Sequence, residues 1–587
     1  MSASIPPTPV HAWLPMLQWM RHYRRDHATA DGVAAAVVTL MLVPQSLAYA
    51  QLAGMPPEAG LYASILPLVV YAVLGTSSAL AVGPAAVTSL MTAAAAGALA
   101  PEGTAAYGWA VWWLAALSGG VSLLLGVLRL GFLAHFISHP VLHGFVSASG
   151  ILIAASQLKH LLGVPLNGTT LPTLLAQGWR SVAGTHGPTL LIGAGTLAVL
   201  LAARWGLRPG LRRLGWSAAA ADLAAKAAPI AILAAVTAVC AAADAASLGV
   251  RVVGAVPAGL PTFTWPGLGE GGWAGLEPLL LPAFLLAIVG FVESVSVGQS
   301  LAARRRERID PDAELRALGA GNLAAAVSGG FPVTGGFARS VVNFEAGART
   351  PAAGLYTAVG LAGVAAFLTP MLHHLPQAAL AATIVVAVLT LVDLPAFARI
   401  WRYSRSDFAA MALTAVLTLT VGVEAGLAAG VLASITLLLY RNSRPHIAVV
   451  GRIPGTEHFR NVERHAVETV PHVLGLRVDE SLTFANARFL EDYVAAQVAA
   501  RPTVRDVVLQ CSAINEIDAS ALESLQTIQE RLAQAGIRLH LSEVKGPVMD
   551  RLQRAGLPTQ LSGQVFLSHH QAIETLAPQS PRGADPE

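Results

Sequence analysis

Charged side chains are scarce in this sequence. Asp, Glu, Lys and Arg make up 12% of its 587 residues, and hydrophobic residues make up 54%. In a typical soluble domain, charged residues are about 25% of the chain. The mean hydropathy is +0.58. Because so little charge cannot cover the surface of a water-soluble fold of this length, the composition indicates an integral membrane protein.

Cysteine is almost absent. The chain contains Cys240 and Cys511, which are too few for a disulfide framework or a thiolate metal site. No nucleophile–base pair, metal-ligand cluster or phosphate-binding loop is visible in the sequence. We therefore expect neither an enzyme nor a metal or other cofactor. The net charge is +3, and the arginines lie between apolar runs rather than in a basic patch, so nucleic acid is not an expected partner.

Long apolar runs fill residues 31–441, the predicted transmembrane domain. Fourteen runs are long enough to cross a bilayer or are interrupted versions of such runs. They begin near Gly32, Leu61, Ala85, Trp109, Pro140, Leu190, Ala227, Pro278, Leu315, Gly335, Ala352, Gln377, Phe408 and Ala425. Arginines follow the even-numbered runs, which places both termini in the cytoplasm. We expect a multi-pass protein of the cell's inner (plasma) membrane, in contact with lipid, with residues 1–30 as a cytoplasmic N-terminal segment.

The stretch from Ser328 to Ser340 reads SGGFPVTGGFARS and interrupts this apolar region. Its four glycines and one proline disfavour a continuous membrane helix. An extended segment that runs into a helix at Thr334 or Gly335 leaves backbone N–H groups unpaired at the positive end of the helix dipole. Such a half-helix start is an anion-binding site, and broken backbone at membrane depth is tolerated where it lines a cavity.

A similar interruption occurs in the first half of the chain. The fourteen runs divide into two sevens at the loop around residues 248–277, and the third run of the first half contains AVGPAAVTS from Ala81 to Ser89. This correspondence predicts a 7+7 inverted repeat in which two half-helix N-termini face each other at the middle of the membrane. The alternative is that Pro84 merely kinks an ordinary helix.

Two ionisable residues, Glu293 and Arg339, lie deep within apolar runs. Burying either charge in a membrane costs about 2.5–3.5 kcal/mol or more, so both are candidate functional residues that lie near each other. The alternative is an ion pair that only stabilises the fold. Gln45 and Tyr49, beside Pro44 in the first run, supply polar groups on one helix face.

The composition changes after Tyr440. The runs Val473–Val478, Val507–Cys511 and Ile537–Leu541 have β-strand character and alternate with helical stretches at 486–500, 519–535 and 547–555, which predicts a small α/β domain. Asp518 and Ser520 lie where one of these helices begins. N-capping is the simplest explanation for them.

These segments together resemble the SulP family of anion transporters, which are related to the animal anion exchangers and prestin. The membrane motifs are Val43-Pro44-Gln45, Ala48-Tyr49-Ala50, Gly60-Leu61-Tyr62-Ala63-Ser64, Val82-Gly83-Pro84, the segment from Phe331 to Asn343, and Gly347-Ala348-Arg349-Thr350-Pro351. The C-terminal motifs resemble the STAS domain that ends such proteins: Val450-Gly451-Arg452-Ile453-Pro454-Gly455-Thr456, Phe484-Ala485-Asn486-Ala487 and Ile517-Asp518-Ala519-Ser520-Ala521.

The resemblance implies an architecture and a binding site. Spans 1–4 and 8–11 would form a core, and spans 5–7 and 12–14 would form a gate. Residues 446–575 would form a cytoplasmic STAS domain, and residues 576–587 would be a disordered tail. The family is commonly dimeric. The anion would lie between half-helices 3 and 10. The residues that would line its site are Gln45, Tyr49, Ala85, Ala86, Val87, Phe337, Ala338, Arg339 and Ser340.

The resemblance also implies roles for single residues. Glu293 occupies the position of a carboxylate in proton-coupled relatives, and Ser520 that of a phosphorylated serine in related STAS regulators, although the neighbouring Glu516 and Asp518 would oppose a phosphate. The chain departs from the family pattern where Ala338 replaces a frequent serine and where Gly335-Gly336 replaces a more usual Gly-Ser. Fewer hydroxyl groups would therefore contact the anion.

The leading functional prediction is proton-coupled sulfate uptake by alternating access, with Glu293 as the coupling residue. Sodium-coupled bicarbonate uptake is an alternative, weakened because no second acidic residue accompanies Glu293 in the membrane. Proton-coupled dicarboxylate transport is another, because half-helix N-termini bind any carboxylate. A different class is an anion-sensing signalling protein, which would bind an anion without exchanging it.

Overall fold

The structure is a computed structural model that describes residues 14–132, 138–166, 168–263, 267 and 274–577. The chain forms two compact units, Met1–Ser434 and Ile435–Glu587. The N-terminal segment predicted for residues 1–30 is described from residue 14 on. The predicted tail, 576–587, lies outside the described residues from position 578 on.

The first unit is almost entirely helical. Its helices are α1 Met16–Arg21, α2 Arg25–Leu52, α3 Pro57–Leu74, α4 Ala86–Gly97, α5 Ala105–Val127, α6 His139–Ser156, α7 Leu158–Leu162, α8 Leu171–Ser181, α9 Gly187–Ala202, α10 Arg208–Arg213, α11 Ala218–Ala242, α12 Glu277–Arg305, α13 Pro311–Val327, α14 Phe337–Glu345, α15 Ala352–Gly363, α16 Gln377–Val388, α17 Leu394–Tyr403 and α18 Arg405–Thr420. The helix α19 Val423–Ser443 begins in this unit and continues past its end at Ser434. A helix accompanies each of the fourteen predicted runs. Within the described residues, eight helical segments are long and apolar enough to cross a membrane, and the crossing number stays a prediction.

Two of the helices are half-length. α4 has 12 residues and α14 has 9, so at about 1.5 Å per residue neither spans the roughly 30 Å of a bilayer's hydrocarbon core. Each follows a two-residue strand, β1 Val82–Gly83 or β2 Thr334–Gly335, and the two strands pair antiparallel. Gly/Pro-rich backbone thus leads into a helix twice, as the sequence pattern predicts.

The helices pack in two groups. In the first, α5 packs on α12 and α13, and α15 packs on α2 and α3; in the second, α6 packs on α18, and α9 on α11 and α16. The groups correspond to the core and gate that the resemblance implies. Gly119 and Gly319 allow the close contact of α5 with α13, since a Cβ on Gly119 would lie 2.8 Å from the Gly319 carbonyl oxygen.

The second unit is an α/β domain. Its strands are β3 Ile447–Arg452, β4 Phe459–Asn461, β5 Val473–Val478, β6 Asp506–Gln510, β7 Arg538–Ser542 and β8 Val565–Phe566, in the order β4-β3-β5-β6-β7-β8 with β5 to β8 parallel. Its helices are α20 Ala487–Ala499, α21 Ala519–Gln534, α22 Gly546–Arg554, α23 Leu557–Gln560 and α24 His569–Leu576. Leu476, Leu509 and Leu525 belong to its main core cluster.

Candidate functional site

A cleft of about 480 Å³ lies between the core and gate helices of the first unit. Side chains of the gate helices α9, α11 and α16 form one wall. The opposite wall contains eight of the residues predicted to act in binding or coupling: Gln45, Tyr49, Ala85, Ala86, Val87, Glu293, Phe337 and Arg339. The structure therefore brings together residues from four separate segments of the chain.

The starts of α4 and α14 form part of this wall. Their N-cap residues, Ala85 and Gly336, are extended, and neither supplies a side-chain hydrogen bond to its helix. The strand pairing sets Val82 opposite Gly335 and Gly83 opposite Thr334, so the two helix starts are held side by side. Two positive dipole ends without side-chain caps favour a bound anion.

Arg339 joins the two lead-in segments. Its side chain is 2% exposed, and its Nη2 donates to the Gly83 carbonyl at 3.0 Å and to the Pro84 carbonyl. Its Nη1 is buried and has no hydrogen-bond partner in the part of the chain that the structure describes. A buried cationic donor without a partner is costly, so Arg339 has both charge and hydrogen-bonding capacity available for an anion in the cleft.

The structure gives a reason for Gly336. A Cβ at this position would lie 2.9 Å from Arg339 Nε and 3.0 Å from Arg339 Nη2. The guanidinium group thus lies in the space that a side chain at position 336 would need. The absence of a side chain at position 336 and the placement of Arg339 are therefore parts of one arrangement.

Gln45 and Tyr49 provide adjustable polar groups. Gln45 Nε2 donates to Tyr49 Oη at 2.9 Å, while Gln45 Oε1 is buried without a partner among the described residues. When the amide turns over, Oε1 accepts from the tyrosine hydroxyl and Nε2 faces the cleft. The pair can therefore present a donor to an anion.

Glu293 lies on α12 at the cleft wall and is partly exposed. In the described part of the chain its carboxylate accepts no hydrogen bond and forms no ion pair, so the predicted alternative of a structural Glu293–Arg339 ion pair is not formed. The next residue, Ser294, accepts the Gly335 N–H at 2.8 Å and is 2.8 Å from Thr334 Oγ1. These bonds fix α12, and with it Glu293, against the lead-in of α14.

Two of the residues predicted to line the anion site are not among the cleft residues. Ser340 is buried and turned away from the cleft: its Oγ accepts the Ala81 N–H at 3.1 Å and donates to the Gly336 carbonyl at 2.8 Å. Ser340 therefore supports the lead-in of α4 instead of lining the site. Ala338 lies in α14, and its side chain is outside the described part of the structure.

Sequence reasoning missed two buried carboxylates. Asp31 in α2 accepts the N–H groups of Arg349 and Thr350 at 2.6 and 3.1 Å, and Glu314 in α13 accepts from Tyr71 Oη at 2.7 Å. Both side chains are 0% exposed. Both lie in the first two turns of their helices, and neither lines the cleft with Glu293. The expectation that no second acidic residue accompanies Glu293 within the membrane therefore stays a prediction. Both carboxylates are occupied by bonds within the core.

The residues at the mouth of the cleft were also not predicted from the sequence. Arg204, Arg208 and Asp222 line it from the gate side. Arg208 Nε is 2.6 Å from Asp222 Oδ1, and both side chains are about half exposed. The cleft therefore opens at the end of the bundle where α9 ends and α11 begins. In the described residues, no group of three or more His, Cys, Asp or Glu side chains is placed to hold a metal ion.

The candidate regulatory residues lie in the second unit. Asp518 caps α21 through a 2.9 Å bond from the Ala521 N–H and also accepts the Phe484 N–H at 2.7 Å. Ser520 is exposed in the first turn of α21. Asp518 thus has a structural role, and the Ser520 hydroxyl is accessible.

Comparisons with known proteins agree with this architecture. Residues 29–414 match the sulfate permease family and residues 464–572 match the STAS domain. The chain is 33% identical over 577 residues to the chloroplastic sulfate transporter 4.1 of Arabidopsis thaliana, covering 95% of this chain and 82% of that protein. It is also 33% identical over 580 residues to a protein described as a probable sulfate transporter in Mycobacterium tuberculosis, covering 97% and 99% of the two chains.

Solved structures support the fold. The murine Solute Carrier 26 family member A9 anion transporter in the inward-facing state superposes with a TM-score of 0.85 at 22% identity, covering 98% of this chain and 95% of that chain. The transmembrane domain of the cyanobacterium bicarbonate transporter BicA gives a TM-score of 0.58 at 19% identity, covering 70% and 98%. The predicted helical transporter fold with a C-terminal STAS domain is therefore confirmed, and the chain belongs to the sulfate permease family.

Proposed function

We propose that this protein carries sulfate or a similar oxyanion across the membrane by alternating access, with the anion held between the starts of α4 and α14. The relatives described as sulfate transporters support the choice of anion. The observation that carries the proposal is Arg339, a buried guanidinium that faces the cleft with Nη1 unpartnered among the described residues. It lies beside two helix N-termini that have no side-chain caps.

The positive potential at this site would offset part of the cost of removing water from an anion. Each half-helix start contributes a dipole end equivalent to about half a positive charge, and Arg339 adds a full charge. Gln45 can add a side-chain donor. Backbone N–H groups supply most of the contacts, because Ala85, Ala86 and Gly336 have no polar side-chain atoms. We propose that this mainly electrostatic site selects by charge and size.

We propose that Glu293 couples transport to protons. It shares the cleft with Arg339 without forming an ion pair with it, so its charge acts through space on any bound anion. An ionised Glu293 opposes the anion, and a protonated Glu293 leaves the positive potential available. Proton and anion binding therefore favour each other by linkage. The protein would lie in the inner membrane as a homodimer with both termini in the cytoplasm.

The test is radiolabelled anion uptake into proteoliposomes containing the purified full chain, with pH and sodium gradients imposed separately. Sulfate uptake should rise with an inward proton gradient and be indifferent to sodium. Glu293→Gln mimics the protonated side chain, so it should keep sulfate exchange and lose the stimulation by protons. If this variant still responds to the proton gradient as the wild type does, the coupling role is refuted.

The other candidate functions give different outcomes in the same assay. Sodium-dependent bicarbonate uptake without sulfate uptake would replace the proposal with the bicarbonate alternative. Competition by succinate but not by inorganic anions would indicate dicarboxylate transport. Sulfate binding without counterflow would identify an anion sensor.

A further inference from the structure

The end of the bundle opposite the cleft mouth carries an ion pair between core and gate. Lys159 in α7 follows the gate helix α6, and Glu102 lies in the connection between the core helices α4 and α5. Lys159 Nζ is 3.7 Å from Glu102 Oε2. The cleft mouth lies where α9 ends, and Lys159 lies before α9 begins. This pair therefore joins the two helix groups at the end where they are closed.

Buried polar atoms without hydrogen-bond partners occur on the core helix α4, on the gate helix α6 and directly after α6. Ser89 in α4 and Ser149 in α6 are 0% exposed and Gln157 is 1% exposed. Ser89 Oγ, Ser149 Oγ and Gln157 Oε1 have no hydrogen-bond partner among the residues that the structure describes. Gln51, near the end of α2, has neither a donor nor an acceptor for its two buried amide atoms, Oε1 and Nε2, among the described residues.

The helices that carry these side chains are in contact across the boundary of core and gate. α4 belongs to the core and packs on the gate helix α6 as well as on α2. Ser89 lies one turn beyond the start of α4, on the side away from the cleft mouth. Packed cores rarely leave polar atoms unpaired, because each costs about 1–3 kcal/mol. If water reaches the surface between α4 and α6 in another conformation of the protein, these polar side chains are hydrated there, which explains their presence.

We infer that Lys159 and Glu102 form an outer latch that must open before the anion site can face the other side of the membrane. When the latch is open, the outer half of the anion route passes between α4 and α6. Ser89, Ser149 and Gln157 then line this route as neutral hydrogen-bonding groups. This inference rests on the alternating-access part of the proposed function and adds the residues of the closed half of the pathway.

The latch should be weak enough to open during each cycle. Lys159 and Glu102 are 27% and 54% exposed in their side chains, and partly exposed pairs of this kind make small contributions to stability. Reversal of one charge replaces attraction by repulsion. We expect it to raise the outward-open population roughly threefold or more, while reversal of both charges restores the pair.

The experiment measures access to the route without requiring transport. Ser149→Cys is introduced into the full chain in intact cells, and the rate of labelling by a membrane-impermeant methanethiosulfonate added outside is measured. The same variant is then combined with Glu102→Lys, with Lys159→Glu, and with both. We expect labelling roughly threefold or more faster in each single reversal and a return toward the starting rate in the double reversal.

Controls separate this effect from unfolding. Ser118 in α5 is also buried, but its hydroxyl donates to the Ala115 carbonyl within its own helix at 3.2 Å. Ser118→Cys should stay unlabelled in all four charge combinations. The chain without an introduced cysteine reports any labelling of the buried Cys240 and Cys511.

Two results would overturn the inference. The first is equal labelling of Ser149→Cys with and without charge reversal. The second is faster labelling that the double reversal does not restore, because the ion pair is then not the latch. Sulfate counterflow measured on the same variants tests the proposed function independently. A chain that shows the labelling pattern but no sulfate exchange would refute the choice of anion and leave the latch in place.

Discussion

Replacing Gly336 by serine tests whether the glycine exists to make room for Arg339. The new Cβ would lie 2.9 Å from Arg339 Nε and 3.0 Å from Nη2, which is closer than carbon and nitrogen atoms normally approach. The arginine side chain is flexible, so we expect the fold to survive and the guanidinium to move away. Its bond to the Gly83 carbonyl should then be lost.

The expected loss of affinity follows from the change in distance between charges. The cleft is open to water, so an effective dielectric of about 40, between those of a protein surface and bulk water, applies; a unit charge about 5 Å from doubly charged sulfate then contributes about 3 kcal/mol, and at about 8 Å about 2 kcal/mol. A displacement of about 3 Å therefore costs about 1 kcal/mol. That corresponds to a roughly fivefold to tenfold weaker binding constant.

The assay is sulfate binding to the purified chain by isothermal titration at constant ionic strength. Gly336→Ala is the matched variant, because it adds the same Cβ without a hydroxyl. Both substitutions are repeated in an Arg339→Ala chain, which gives a double-mutant cycle. Since position 336 should act through the guanidinium, serine or alanine there should have little effect when Arg339 is already absent. A loss of the same size in the Arg339→Ala chain would refute this reasoning.

The remaining predictions concern the charge itself and the STAS domain. Arg339→Ala should weaken sulfate binding by about 3 kcal/mol, roughly a hundredfold, in a chain that elutes as the wild type does; unchanged affinity would disprove the assignment of the site. Burial holds the pKa of His569 at about 4 against an ordinary value of 6.5, so the domain should lose about 3 kcal/mol of stability as the pH falls from about 6.5 to 4. Hydrogen exchange of β6 and β7, corrected for intrinsic rates, should show this loss, and His569→Gln should reduce it. Ser520→Ala and Ser520→Glu should transport sulfate like the wild type if the domain is a scaffold, and a change in the Glu variant alone would favour regulation by phosphate.

The parts of the site that depend on local sequence were predictable. Glycine and proline before a small-residue helix start identify both half-helices, because few other arrangements use such backbone within a membrane. Glu293 and Arg339 were identifiable since isolated charges in apolar runs are expensive. Asp31 and Glu314 could not be recognised in this way, because near the ends of apolar runs they resemble ordinary acidic residues at a helix terminus.

Other parts depend on contacts between distant segments. The antiparallel pairing of β1 with β2 involves two residues on each side, too few to leave a periodic pattern in the sequence. The direction of the Arg339 side chain depends on the absence of a Cβ at position 336 and on the Gly83 carbonyl in the other repeat. Ser340 was placed at the anion site by its position in the motif, and its hydroxyl instead bonds the Ala81 N–H. Strands β3, β4 and β8 were missed because they are short or lie beside stronger patterns.

The bond from Arg339 to Gly83 joins residues 256 positions apart in the chain, which has a consequence for biosynthesis. At a synthesis rate of about 5–20 residues per second, the start of α4 emerges roughly 10–50 s before α14 exists. During that interval the lead-in of α4 has none of the partners that β2 and Arg339 later provide. A newly made first repeat must therefore wait in the membrane with unpaired backbone groups. Assistance from the insertion machinery or a chaperone would have its greatest effect at this stage, and a chain truncated before residue 334 should be degraded rather than accumulate as a half-transporter.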